Sequence, residues 1–133
     1  MEHRFDETAR YAKTHEWVRV EGTGAAAEAV IGVSDYAQEK LSDVVFVELP
    51  APGKPLEREK PFTVIESVKA AEDVIAPVSG TVIAANPKLE KSPELVNKDP
   101  YGDGWIVRVK LADVAELSSL MDATAYRAYL EGL

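Results

Sequence analysis

The apolar residues of this chain come in short, β-branched stretches, and nearly every stretch is cut off by proline, glycine or small polar residues. That pattern admits few folds. Strands of this length and composition fit a half-buried pleated surface. The runs at His15–Val20 and Glu28–Val33 read as a hairpin around Gly22-Thr23-Gly24. Asp43–Leu49 carries apolar residues on both faces, so a central strand is expected there, ended by Pro50-Ala51-Pro52-Gly53 because proline cannot donate to a ladder. Further strands are expected at Pro61–Glu66, Asp73–Ala76, Thr81–Ala85 and Gly104–Lys110. None of these runs approaches the ~20 apolar residues of a membrane-spanning helix.

Helical signals are confined to two places. Ser34–Leu41 reads as a short helix, with Asp35 as its cap and Gln38 as the reciprocal partner. Near the end, Asp113 with Glu116 and then Asp122 predict two capped helices. Val114, Leu117, Leu120 and Met121 form one apolar stripe that packs on the sheet. Residues 86–103 are rich in Pro, Asn, Asp and Gly and are expected as loop, with one helical turn near Pro93-Glu94-Leu95. Pro55–Glu59 and Lys88–Ser92 echo one another weakly, as two similar halves of a sandwich would. The expected fold is therefore mainly β, a small β-sandwich or flattened barrel with short helices and a C-terminal helical segment. With 133 residues, one domain is expected, divided into a lead-in (1–12), a β core (13–111) and C-terminal helices (112–133).

Composition narrows the function by exclusion. There is no cysteine, hence no disulfide scaffold, thiolate metal site or cysteine nucleophile. His3 and His15 are the only histidines, and neither a nucleophile elbow nor a phosphate-cradling loop is present. Fifteen basic against 23 acidic side chains give a net charge of −8, which disfavours nucleic acid and anionic membranes as partners. The opening residues mix acids and bases without an apolar stretch, which argues against a secretory signal; the expected location is the cytoplasm. A chain so poor in catalytic apparatus is expected to take part in chemistry only through something attached to it.

One segment offers an attachment point. In Val64-Ile65-Glu66-Ser67-Val68-Lys69-Ala70-Ala71-Glu72-Asp73-Val74-Ile75, two apolar strands flank a polar break that holds a single lysine. A hairpin would place Lys69 at its tip, with Ala70 and Ala71 leaving its amine accessible to an acylating enzyme. On the hairpin alone, a solvated surface lysine remains the simpler reading.

The surrounding residues add a resemblance. Glu66-Ser-Val-Lys69-Ala, followed by Ala76-Pro-Val-Ser-Gly80, resembles the attachment site of lipoyl domains. Thr14-His-Glu-Trp-Val18, Gly32–Gln38, Asp43–Pro50, Ser92–Asn97 and Asp99–Trp105 extend it to the glycine cleavage system H-protein family, from about Tyr11 to Tyr129. Two departures stand out: the family usually has threonine at Ser34 and glycine at Ser42. The resemblance implies a barrel-sandwich hybrid fold and a non-catalytic carrier with lipoic acid on Lys69. It also implies partners: a pyridoxal-phosphate glycine decarboxylase, a tetrahydrofolate-dependent aminomethyltransferase, dihydrolipoyl dehydrogenase and a lipoate-attaching enzyme. Glu66 matches an acid recognised by the attaching enzyme. Glu16, Asp73 and Thr14 match the lining of a cleft where the aminomethyl-loaded arm docks. His15 is expected to make a structural hydrogen bond, and Gly80 to permit a tight turn through positive φ. The alternatives are an acyl carrier of another lipoate-dependent complex, a biotin carrier and a lipoate relay. Val68 and Ala70 stand where a biotin carrier would want methionine.

Overall fold

The computed structural model describes residues 3–22 and 27–133. Gly22 therefore marks the last described residue of the first expected turn, and Thr23 and Gly24 lie outside the described residues. Among the described residues, nine strands form two antiparallel sheets. They are β1 (Arg10–Tyr11), β2 (Glu16–Glu21), β3 (Glu28–Val33), β4 (Val44–Val47), β5 (Pro55–Leu56), β6 (Pro61–Ser67), β7 (Ala71–Ile75), β8 (Gly80–Ala85) and β9 (Val107–Leu111). The larger sheet has the order β1-β2-β3-β9-β8-β5 and the smaller one β4-β6-β7. The helices are α1 (Asp35–Leu41), α2 (Lys88–Lys91), α3 (Leu95–Lys98) and α4 (Ala123–Glu131), with a 3-10 helix at Val114–Ser119. No described helix is long and apolar enough to cross a membrane. The expected mainly-β architecture with a C-terminal helical segment is what the chain adopts.

One apolar core holds residues of both sheets: Val18, Ile31, Val82, Val107 and Val109 from the larger, and Val44, Val47, Phe62, Ile65 and Val74 from the smaller. A second cluster lies on Tyr11, Trp17, Val30, Ala123 and Tyr126. Strand β2 explains the split. Successive side chains point to opposite faces, so Val18 enters the first core while Trp17 enters the second, under α4. Trp17 closes its burial by donating its indole N–H to the Pro100 carbonyl at 3.0 Å.

Several local expectations fail for identifiable reasons. Strand β4 is an edge, not a central strand. A bulge between Val44 and Phe46 turns Val45 and Phe46 outward, each 52% exposed. Helix α1 is capped by Ser34, whose hydroxyl accepts from the Ala37 N–H at 3.1 Å. The expected cap, Asp35, instead accepts from the Arg4 backbone and guanidinium at 2.7 and 2.8 Å. Residues 86–103 hold two short helices, because Leu89 and Val96 reach the main core from inside a polar segment. Lys88–Lys91 is helical whereas Pro55–Leu56 is a strand, so the weak echo is not a structural repeat.

The segment after Asp113 winds as a 3-10 helix rather than an α-helix, leaving Val114 exposed. Asp113 caps it, but Glu116 leaves the cap to accept from the Ser79 backbone N–H and hydroxyl at 2.6 and 3.0 Å. Asp122 caps α4 as expected. Gly80 does not adopt positive φ. Glycine is needed there because a Cβ would lie 2.4 Å from the Lys110 carbonyl oxygen on the neighbouring strand.

Candidate functional site

Strands β6 and β7 pair from Pro61–Ile75 up to Glu66–Ala71, so the chain reverses through Ser67-Val68-Lys69-Ala70. Ser67 fixes the reversal. Its backbone N–H donates to the Ala70 carbonyl at 2.8 Å, and its hydroxyl oxygen accepts from the Lys69 and Ala70 N–H groups at 3.2 Å each. The tip is tied sideways as well, because the Val68 N–H donates to the Asp43 carbonyl at 3.0 Å. Lys69 stands exposed on this braced tip. Its ammonium donates to the Lys40 carbonyl at 2.6 Å, in the last turn of α1, where the helix dipole favours a cation. Small neighbours and solvent access give its amine the exposure that acylation requires.

Lys40 also lines a cleft of about 250 Å³. Thr14, His15 and Glu16 form one wall, Tyr36 and Ala37 of α1 another, and Glu72, Asp73 and Val74 of β7 a third. The structure thus brings Glu16, Asp73 and Thr14 together beside the Lys69 hairpin. Glu66 lies elsewhere: it alternates with the buried Ile65 along β6 and is exposed on the outer side, opposite Phe46.

The two cleft carboxylates differ sharply. Asp73 is exposed. Glu16 is only 4% exposed, so it is not a solvated strand-edge acid. Thr14 donates its hydroxyl to Oε1 of Glu16, and the Ile75 N–H donates to Oε2 at 3.2 Å. Both donors are neutral, and no cation partners the group in the described structure. Burial penalises its charge more than these hydrogen bonds favour it, and its pKa is pushed up to about 7. An ammonium entering the cleft would supply the missing countercharge and pull the carboxyl back to its ionised form.

His15 adopts φ 78° at the start of this wall, and its Nδ1 lies 2.8 Å from the Tyr126 hydroxyl. The expected structural hydrogen bond is therefore present. Burial holds its pKa below the usual histidine range. Tyr36, Lys40 and Glu72 were not singled out by sequence reasoning. They sit on the exposed flank of an amphipathic helix and on a strand edge, and only their packing around Glu16 gives them a place in the cleft.

Fold and site together define a two-sheet β protein that offers one lysine on a braced hairpin beside an acid-lined cleft. The family model for the glycine cleavage H-protein matches residues 9–132. Glycine cleavage system H proteins are 50% identical over 120 residues in Symbiobacterium thermophilum, covering 90% of this chain and 91% of the relative. The corresponding protein of Aeromonas hydrophila is 53% identical over 118 residues, 89% of either chain. The crystal structure of a glycine cleavage system H protein from Mycobacterium marinum superposes with a TM-score of 0.84. Its identity is 30%, and the match covers 97% of this chain and all of the other. The chain belongs to the glycine cleavage H-protein family.

Proposed function

We propose that residues 1–133 act as one carrier unit in which lipoic acid is joined by an amide bond to Lys69, with no catalysis by the chain itself. The observation that carries this reading is the position of Lys69, exposed on a braced tip with its Nζ bonded to the carbonyl of Lys40, a residue that lines the cleft walled by Glu16 and Asp73. The residues present fit the group: the amine is accessible, and the cleft floor holds a buried carboxyl that no cation pairs with among the described residues. When attached, the lipoyl group supplies a cyclic disulfide that takes up an aminomethyl group on sulfur and is afterwards reoxidised.

The chain's own residues then have distinct tasks. Lys69 fixes the point from which the arm reaches out, and the Ser67 turn keeps that point rigid. Glu16, Asp73 and Thr14 receive the ammonium of the aminomethyl cargo. Glu16 does most because its surroundings exclude water, where a charge pair is stronger than in bulk solvent. The cargo has nitrogen and sulfur on one carbon and is prone to hydrolysis, so holding it against the cleft wall preserves it between enzymes. Glu66, on the opposite side of β6, is offered to the lipoate-attaching enzyme rather than to the cargo.

In this reading the carrier receives the aminomethyl group from a pyridoxal-phosphate glycine decarboxylase. It delivers the group to a tetrahydrofolate-dependent aminomethyltransferase and is reoxidised by dihydrolipoyl dehydrogenase. The test is mass spectrometry of the purified chain in two steps. Incubation with lipoate, ATP and a lipoate-attaching enzyme should add one lipoyl group to the peptide containing Lys69. Further incubation with glycine and glycine decarboxylase should add one aminomethyl group. If the lipoyl mass appears on another peptide, or no cargo is gained, the proposal fails.

A further inference from the structure

The Tyr126 hydroxyl sits in a position that the carrier reading does not explain. Tyr126 lies on α4, is fully buried, and stacks on Tyr11 at 4.4 Å between ring centroids. Its oxygen is 2.8 Å from Nδ1 of His15 and 2.8 Å from Oγ of Ser34. His15 lines the cleft, while Ser34 caps α1, the helix that supplies Tyr36, Ala37 and Lys40 to the cleft. One hydroxyl from the C-terminal helix thus joins two separate walls.

Hydrogen counting sets the direction of this chain of bonds. Ser34 is fully buried, and its oxygen already accepts from the Ala37 N–H. Among the described residues, the Tyr126 oxygen is the only acceptor for its proton. Ser34 therefore donates to Tyr126, Tyr126 donates to Nδ1 of His15, and the imidazole keeps its own proton on Nε2. A proton on Nδ1 would leave either the Tyr126 or the Ser34 hydroxyl proton without an acceptor in the interior, where an unpaired donor is costly. The other charged or titratable groups around this wall are Tyr36 and Lys40 on α1, Glu16 on β2, Glu72 and Asp73 on β7, and Tyr129 on α4. None of them is hydrogen-bonded to the imidazole among the described residues.

We infer that Tyr126 is a positioning residue: its hydroxyl fixes the His15 tautomer and the capped first turn of α1 as one unit, and so sets the width of the cleft in which the cargo docks. The inference rests on the carrier reading for its consequence, but not for its geometry. The variant is Tyr126→Phe, which keeps the stacked ring; Tyr129→Phe, whose hydroxyl bonds only the Lys13 carbonyl among the described residues, is the control. Nitrogen-15 NMR of the unmodified protein reads the imidazole directly. The wild type should show the Nε2–H tautomer. In Tyr126→Phe both tautomers should appear and the titration midpoint should rise by about half a unit, since a donor to the neutral ring is gone.

Aminomethyl-loaded Tyr126→Phe should lose ammonia roughly three- to tenfold faster than wild type, while lipoylation is unchanged and Tyr129→Phe matches wild type in both readouts. An Nδ1–H tautomer in the wild type would overturn the inference without any variant. So would an unchanged His15 in Tyr126→Phe, or a changed His15 with an unchanged cargo lifetime. If Glu16→Gln also leaves the cargo lifetime at the wild-type value, the protective cleft itself is wrong, and the tautomer result still decides the role of Tyr126.

Discussion

The tip of the β6–β7 hairpin and the floor of the adjoining cleft are neighbours, yet opposite rules govern them. At the tip, Lys69 is exposed, charged and held by one carbonyl at a helix end. On the floor, Glu16 is buried, holds a proton near neutrality and is held by two neutral donors. The tip is exposed, so changes there are expected to cost little stability. The floor costs stability whenever it ionises, and in the proposed reading it is the entering ammonium that offsets this cost. Acylation needs an accessible amine, whereas stable docking of an ammonium needs a desolvated anion, and one exposed surface could not provide both.

The largest expected effect removes the tip's chemistry. Lys69→Arg keeps the charge and approximate length but cannot be acylated in this way, so lipoyl incorporation should fall to background. Intact mass after incubation with the attaching enzyme is the check, and any modified Lys69→Arg product would break the assignment.

The next effect belongs to the floor. The Glu16 carboxyl has an ordinary value of 4.5 and a folded-state value of about 7. Between these the folded chain binds more protons than the unfolded one. The group's contribution is therefore fully present below 4.5 and is lost as pH rises through 7. The full loss is on the order of 3 kcal/mol. Urea unfolding of wild type and Glu16→Gln at pH 5 and pH 8 isolates it. The wild type should lose more stability across this interval than the variant, and parallel curves would mean that Glu16 is solvated after all.

Smaller again is the effect on the cargo. If Glu16 contributes about 1.4 kcal/mol to docking, Glu16→Gln should shift the docked-to-free ratio about tenfold. Hydrolysis of aminomethyl-loaded carrier, with the other enzymes absent, should accelerate accordingly, and less in Asp73→Asn because Asp73 is exposed. Equal acceleration in both variants would erase the contrast between buried and exposed carboxylates.

Ser42 links the two regions from beneath. It ends α1 at φ 70° and ψ −157°, a conformation that favours glycine, one residue before the carbonyl that holds Val68. The family resemblance marks glycine as the usual residue here, so this departure falls on a strained position. Ser42→Gly should raise stability by about 1 kcal/mol in thermal unfolding. A destabilised variant would show that the serine side chain has a partner role. The smallest change is expected of Lys69→Ala, which should unfold within about 0.5 kcal/mol of wild type. A large drop would make Lys69 a structural residue and dissolve the contrast with Glu16.

The β-rich architecture was legible because period-two alternation and proline or glycine stops are local properties, as in Pro61–Glu66 and Thr81–Ala85. The exposed position of Lys69 was legible for the same reason, since a polar break between two apolar runs implies an exposed tip whatever packs around it, but its reading as an attachment point came only through resemblance. The clustering of Glu16, Asp73 and Thr14 entered only through resemblance. What tertiary structure decided were the quantities set by distant neighbours. Val44–Val47 became an edge because no described strand pairs beyond it. Asp35 gave up the helix cap to Ser34 because Arg4, far away in sequence, holds its carboxylate. Gly80 owes its place to the Lys110 carbonyl rather than to its own φ. Glu16 became a buried acid because Ile75 and the surrounding walls close over it. Local sequence determines backbone preference and which side chains face together along a strand. Burial, and with it the free energy of a charge, depends on which other segments arrive.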